Sequence, residues 1–214
     1  MKLFLDAAVT DEIKPHFDSG LIDGVTTNPT LMMKSGRKPD EVYAELKAMG
    51  LQDISMEVMG TAAEMYHEGR RLHMKFGDVA TIKVPCTPDG LSVCKQLSDE
   101  GIGVNVTLIF SAAQALLASK AGAKYVSPFV GRVDDNSFDG IQLIKDISHI
   151  FIIHARETQI LAASVRTVRQ VTDAFLAHAD VVTLPPATFA KMFKHVLTDA
   201  GLAQFEKDAE SIKS

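Results

Sequence analysis

The amino-acid sequence predicts an α/β fold, a (β/α)8 barrel of the TIM type with one extra C-terminal helix. Three observations carry this expectation. Short β-rich runs alternate with amphipathic helical stretches from one end to the other, polar residues recur near the ends of those runs, and no glycine-rich phosphate loop occurs. Strands separated by helices imply right-handed βαβ units in a parallel sheet, and eight such units close a barrel.

The strand runs are expected at 3–6, 24–28, 54–59, 79–85, 103–109, 125–130, 159–164 and 181–185, with helical patterns at 62–76, 90–100 and 111–121 between them. Beyond the eighth run, a helix over about 199–213 is expected to cap the barrel or to pack on a neighbouring subunit. No Pro/Gly/Ser-rich linker divides the chain, so residues 1–214 read as a single catalytic barrel. The competing fold is an open doubly wound sheet. That fold usually carries G-x-G-x-x-G or a Walker sequence after an early strand, and neither is present.

Composition narrows the class. Hydrophobic residues make up 46% and charged residues 23% of 214 positions, the mix of a soluble globular protein able to bury a large core without staples. A net charge of −5 and a pI near 5.8 argue against nucleic acid as the main partner. Cys86 and Cys94 stand in no metal or redox spacing, and the histidines are scattered, so reduced thiols and no metal site are expected. Met1-Lys2-Leu3-Phe4-Leu5-Asp6 lacks the layout of a secretion signal. The apolar stretch 108–118 is interrupted by Ser111 and Gln114 and falls short of a bilayer span. A cytoplasmic protein with no membrane partner is the expectation.

Strands buried on both faces should be almost continuously apolar. Here Asp6 ends the first run, Thr26 and Asn28 the second, and Glu57 lies near the end of the third. Lys83 sits in the fourth, Asn105 and Thr107 in the fifth, Ser127 in the sixth, and Ser164 ends the seventh. Residues two apart on a strand share a face. If those faces point inward, their polar groups converge at the C-terminal mouth, where barrel enzymes hold their active sites.

Lys83 is the most informative of them. An unpaired ammonium in a buried strand is costly, and the usual response is a lowered pKa and a neutral amine. Such an amine can form a Schiff base with a carbonyl; a snorkelling lysine or a structural ion pair is the alternative. Asp6 and Glu57 are the candidate acid–base pair for carbon–carbon cleavage, unless they serve as caps or rim salt bridges. Arg132 and Arg166 follow the sixth and seventh runs, where a bidentate guanidinium and the Ser164 hydroxyl can bind a phosphate. Loop arginines are otherwise ordinary surface charge.

These residues lie in stretches that resemble the transaldolase family, in its short subfamily that also contains fructose-6-phosphate aldolase. Asp23-Gly24-Val25-Thr26-Thr27-Asn28-Pro29-Thr30 is similar to one family signature, and Ala80-Thr81-Ile82-Lys83-Val84-Pro85-Cys86-Thr87-Pro88-Asp89-Gly90 to the one around the Schiff-base lysine. The likeness continues through Asn105-Val106-Thr107-Leu108, Tyr125-Val126-Ser127-Pro128-Phe129-Val130-Gly131-Arg132 and Leu161-Ala162-Ala163-Ser164. Two departures are Ala7, where the family often has threonine, and Cys86, at a variable position.

The resemblance implies roles residue by residue. Lys83 attacks the ketose carbonyl, Asp6 handles the proton of the hydroxyl at the cleaved bond, and Glu57 and Thr107 hold the catalytic water. Asn28 and Asn105, with Thr26 and Ser127 beside them, orient the bound three-carbon unit. Arg132, Ser164 and Arg166 cradle phosphate. It further implies no metal or organic cofactor, sugar phosphates as substrates, and a homo-oligomer, a pentamer or decamer. Phe129, Glu57 and Asn105 match the transferase type, where the aldolases carry tyrosine, glutamine and an apolar residue. The implied activity is transfer of dihydroxyacetone from fructose 6-phosphate or sedoheptulose 7-phosphate to erythrose 4-phosphate or glyceraldehyde 3-phosphate, a step of the pentose phosphate pathway. The alternatives are an aldolase releasing free dihydroxyacetone and, more distantly, a sugar-phosphate isomerase or epimerase barrel.

Overall fold

The computed structural model describes residues 1–213. Its first half contains β1 (Lys2–Asp6), α1 (Thr10–Phe17), β2 (Gly24–Thr26), α2 (Pro29–Ser35), α3 (Pro39–Ala48), β3 (Ile54–Glu57), α4 (Ala62–Phe76) and β4 (Ala80–Pro85). There follow α5 (Pro88–Asp99), β5 (Val104–Ile109), α6 (Ala112–Lys120), β6 (Tyr125–Pro128), α7 (Val130–Asp135) and α8 (Gly140–Ile153). The last elements are β7 (Gln159–Ala162), α9 (Val168–Leu176), β8 (Val181–Leu184), α10 (Pro186–Lys191) and α11 (Val196–Lys213).

The strands pair in parallel in sequence order, and β1 pairs with β8 as well as β2, so the sheet closes on itself. Closure removes the open-sheet competitor and gives the (β/α)8 barrel. Outward-facing strand residues such as Ile82, Val84, Val104 and Val106 are fully buried against the helices. The helices bring matching apolar faces, including Leu72 and Phe76 of α4 and Val93 and Leu97 of α5.

Strand ends fall earlier than the sequence predicts because helix starts compete for the same residues. β2 stops at Thr26: Asn28 caps α2, accepting from the Leu31 amide at 3.0 Å, with Pro29 at the first helical position. β4 starts at Ala80 because residues 77–79 form a 3-10 turn. β6 ends at Pro128, and beyond it Phe129 keeps only an isolated bridge to Ala163. α4 and α9 open with reciprocal caps, Thr61 with Glu64 and Thr167 with Gln170.

One irregularity bears on the mouth. β5 shifts register against β6 between Val106 and Ile109, and Leu108 within the shift has φ 59°. That left-handed region is uncommon for a branched side chain, and a bulge of this kind re-aims neighbouring residues. Thr107 stands immediately before it.

The opposite end of the barrel is plugged. Asp53 Oδ2 accepts from Lys124 Nζ at 2.7 Å and from the Tyr125 hydroxyl at 2.8 Å, and Oδ1 accepts from Thr81 Oγ1 at 2.8 Å. Burial, then the Asp53 carboxylate beside it, pushes the Tyr125 phenol far above its ordinary range. Polar groups at this end are thus tied to one another.

Candidate active site

Register decides which polar side chains meet. Glu57 on β3 and Lys83 on β4 are direct Cα partners, and so are Lys83 and Asn105 on β5. Partners on adjacent parallel strands project to the same face, so all three point into the barrel. Lys83 Nζ donates to Glu57 Oε2 at 2.8 Å and to the Thr27 carbonyl at 3.0 Å. Both side chains of the ion pair are shielded, at 7% and 11% exposure. Of the two readings offered by the sequence, the structure shows the ion pair: a carboxylate on the neighbouring strand balances the Lys83 charge.

Asp6 enters from β1. Thr26 on β2, its Cα partner, donates through Oγ1 to Asp6 Oδ1 at 2.8 Å, and Thr26 Oγ1 also lies 2.7 Å from Thr183 Oγ1 on β8. Burial raises the Asp6 pKa above its usual value; the Lys83 charge and the Thr26 hydrogen bond oppose the rise, and Glu57 adds to it.

A second polar chain runs across β3, β5 and β6. Ser127 Oγ donates to Asn105 Oδ1 at 2.7 Å, and Asn105 Nδ2 donates to Ser55 Oγ at 3.1 Å. Thr107 Oγ1 is buried and has no hydrogen-bond partner among the described residues. Buried hydroxyls are ordinarily satisfied, so this one is free to hold a water or a substrate oxygen in the cavity.

The cavity measures about 110 Å³. Asp6, Thr26, Asn28, Lys83, Asn105 and Thr107 line it, together with Ser127, Phe129, Arg132, Ser164 and Thr183. Asn28 contributes while its Oδ1 is engaged as a helix cap. Phe129 packs 5.7 Å from the Phe110 ring, and the Arg132 guanidinium lies 4.9 Å from the Phe129 ring centroid.

Ser164 has φ 57°, and its carbonyl accepts from the Gly131 amide at 3.1 Å. A Cβ on Gly131 would come within 2.3 Å of that carbonyl and 2.9 Å of Arg166 Nε, so only glycine fits where the β6 and β7 loops meet. Two sequence-predicted residues do not line the cavity: Glu57, which stands behind Lys83 as its ion-pair partner, and Arg166, which is turned elsewhere. Its guanidinium pairs through both terminal nitrogens with Asp135 at the end of α7, and its side chain is half exposed. That contact holds the Asp135 carboxyl below the usual range.

Two participants escape the sequence reading. Thr183 interrupts the apolar β8 run in the same way as the polar residues noted on other strands, and that signal could have found it. The Thr27 carbonyl has no signature in sequence. Among the described residues, no cluster of three or more His, Cys, Asp and Glu side chains is disposed to hold a metal ion. No helix there is long and apolar enough to cross a membrane.

A closed parallel barrel with a buried lysine, two carboxylates and hydroxyls gathered at its C-terminal mouth has the layout of a TIM-barrel enzyme, whose active sites lie at that face. Comparison of the sequence then makes the assignment specific. Residues 3–214 match the family Transaldolase/Fructose-6-phosphate aldolase, and the chain belongs to that family. A protein of Caulobacter sp. (strain K31) named probable transaldolase is 54% identical over 209 residues, covering 97% of this chain and 96% of that protein. Another of the same name from Nitrosopumilus maritimus (strain SCM1) is 51% identical over 216 residues, covering 100% of this chain and 97% of its own length. A third so named, from Ruegeria pomeroyi, is 52% identical over 212 residues, 99% of this chain and 97% of that protein.

Proposed function

We propose that this protein is a transaldolase that works through an imine on Lys83, moving a dihydroxyacetone unit between sugar phosphates in the pentose phosphate pathway. The observation that carries the reading is the Lys83 amine, buried 2.8 Å from Glu57 and opening on the same cavity as Asp6.

The steps follow from those positions. Glu57 takes a proton from the Lys83 ammonium, and the freed lone pair adds to the ketose C2 carbonyl. Loss of water from the carbinolamine leaves an iminium, with Glu57 and Thr107 handling the water and its protons. Asp6 accepts the proton of the C4 hydroxyl as the C3–C4 bond breaks, and the bonding electrons flow into the iminium to give an enamine. An aldose phosphate leaves. The enamine carbon then attacks the aldehyde of the acceptor, Asp6 returns the proton to the new alkoxide, and water hydrolyses the imine to release the product ketose. The raised proton affinity of Asp6 suits a group that must take and return a proton.

Asn28, Asn105, Ser127 and Thr26 supply hydrogen bonds to the three-carbon unit. Arg132, Ser164 and Arg166 take the phosphate, for which Arg166 exchanges the Asp135 carboxylate for phosphate oxygens. No cofactor enters these steps. Phe129 offers a phenyl face where a hydroxyl could help release the three-carbon unit to water, which favours transfer over free aldol cleavage. The same reading assigns the enzyme to the cytoplasm, in keeping with free thiols at Cys86 and Cys94. It also includes assembly with further copies of the chain, as a pentamer or decamer, through α11, where Leu202, Phe205 and Ile212 are exposed.

The test is acceptor dependence. With fructose 6-phosphate as donor, turnover should require erythrose 4-phosphate or glyceraldehyde 3-phosphate. Equally fast release of free dihydroxyacetone without an acceptor would assign the chain to the aldolase activity instead.

A further inference from the structure

Thr183 sits inside the barrel, 3% exposed, on a strand that is otherwise Val181, Val182 and Leu184. Its Cα partner on β1 is Phe4, two residues before Asp6 and therefore on the same face of that strand. The Thr183 hydroxyl reaches past β1 to Thr26 on β2, 2.7 Å away, and Thr26 in turn lies 2.8 Å from Asp6 Oδ1. Three side chains from three strands thus form one line that ends on the carboxylate.

With Asp6 as the carboxylate, the state the proposed reaction requires, proton counting sets the direction of this line. A hydroxyl has one proton to give, and an ionised carboxylate has only lone pairs. When Asp6 is ionised, the Thr26 proton goes to Asp6, and the short Thr26–Thr183 contact, in which either hydroxyl can donate, is then donated by Thr183. A hydroxyl that accepts one hydrogen bond becomes a stronger donor in the next, so the chain favours the carboxylate over the carboxylic acid.

We propose that Thr183 is a positioning residue for the reaction: its hydroxyl orients Thr26 toward Asp6 and keeps Asp6 in the proton-accepting state before the bond breaks. The proposal rests on the assignment of Asp6 as the proton acceptor made above. The other groups that act on Asp6 are the charges of Lys83 from β4 and Glu57 from β3, and neither is touched by a change at Thr183. Burial already raises the proton affinity of Asp6, so losing a donor at the far end of the chain should raise it further.

The experiment measures kcat/KM for fructose 6-phosphate against pH in the full-length protein, Thr183→Val and Thr183→Ser, with erythrose 4-phosphate as acceptor. Valine preserves shape and replaces the hydroxyl with a methyl group. Thr183→Val should lose about five- to tenfold at neutral pH, the effect of one hydrogen bond, and the acidic limb of its profile should move to higher pH. Thr183→Ser should restore both rate and limb. Borohydride trapping with fructose 6-phosphate should label Lys83 in all three proteins, because imine formation does not pass through Asp6.

A wild-type profile for Thr183→Val with normal trapping would overturn the role of Thr183 and leave the imine reading standing. Thr183 also lines the cavity, so a lower rate with an unmoved limb, or one that serine does not rescue, would make it a part of the cavity wall rather than a positioning residue and overturn the proposal equally. Absence of the adduct from the unaltered enzyme would instead remove the reading beneath it. If Thr183→Val fails to fold by circular dichroism, Thr183→Cys, nearly as small and a much weaker donor, is judged by the same criteria.

Discussion

Lys83 and Glu57 are paired across β4 and β3, and their side chains meet at 2.8 Å inside the barrel, almost out of reach of solvent. A buried ion pair is weak evidence for stability, because desolvation offsets much of the attraction. In the proposed reaction the pair passes a proton between its members, which an attacking amine requires.

Glu57→Gln should lose about 100-fold or more in turnover, the range for a positioned acid–base group, and, because it leaves the shielded Lys83 without its carboxylate, stability as well. Lys83→Met should lose turnover entirely and about 3 kcal/mol of stability, since it leaves the Glu57 carboxylate without its partner. The double variant should regain most of that stability. Steady-state rates and urea melts of the parent and the three variants, read as a double-mutant cycle, check this.

Asp6→Asn should separate chemistry from imine formation: turnover falls about 10²- to 10⁴-fold while borohydride trapping persists. The variant also tests the electrostatics. The folded-state pKa of Asp6 is raised above 3.8, so the stability linked to it is fully present below 3.8 and lost as pH rises through the folded value. Asp6→Asn has no charge to bury and should melt above the parent at neutral pH. Thermal melts should show that difference closing as pH falls toward 3.8.

Arg166→Ala should raise KM for fructose 6-phosphate and leave activity on unphosphorylated fructose unchanged. Its pairing with Asp135 is half exposed, so the substitution should alter stability by no more than about 1 kcal/mol. Equal losses on both substrates would remove Arg166 from phosphate binding.

Phe129→Tyr should raise the share of free dihydroxyacetone among the products, because the new hydroxyl can assist release to water. Its ring packs on Phe110 and under Arg132, so the larger side chain has neighbours to support it. An unchanged product ratio would exclude Phe129 as a determinant of transfer against cleavage.

What could be read from the sequence follows from the period of the strand. Because side chains alternate faces, a lysine, an asparagine and a threonine within apolar runs mark an inward polar surface before any coordinates exist. Lys83, Asn105 and Thr107 declared themselves in that way, and Thr183 carries the same mark. Three features could not be read. The shift beside Leu108 depends on how β5 pairs with β6, which no local pattern encodes. The Thr27 carbonyl is backbone, and every residue has one. The Asp135 partner of Arg166 lies across two loops, where spacing along the chain says nothing about distance in space. A β pattern runs past the true strand end where a capping residue also fits it, as at Asn28.

The most direct measurement is reduction with borohydride in the presence of fructose 6-phosphate, followed by peptide mass mapping. The account predicts one adduct of the substrate-derived unit, on the peptide containing Lys83 and absent from Lys83→Met. A protein that turns over the sugar phosphate with no adduct, or with the adduct on another lysine, would contradict it.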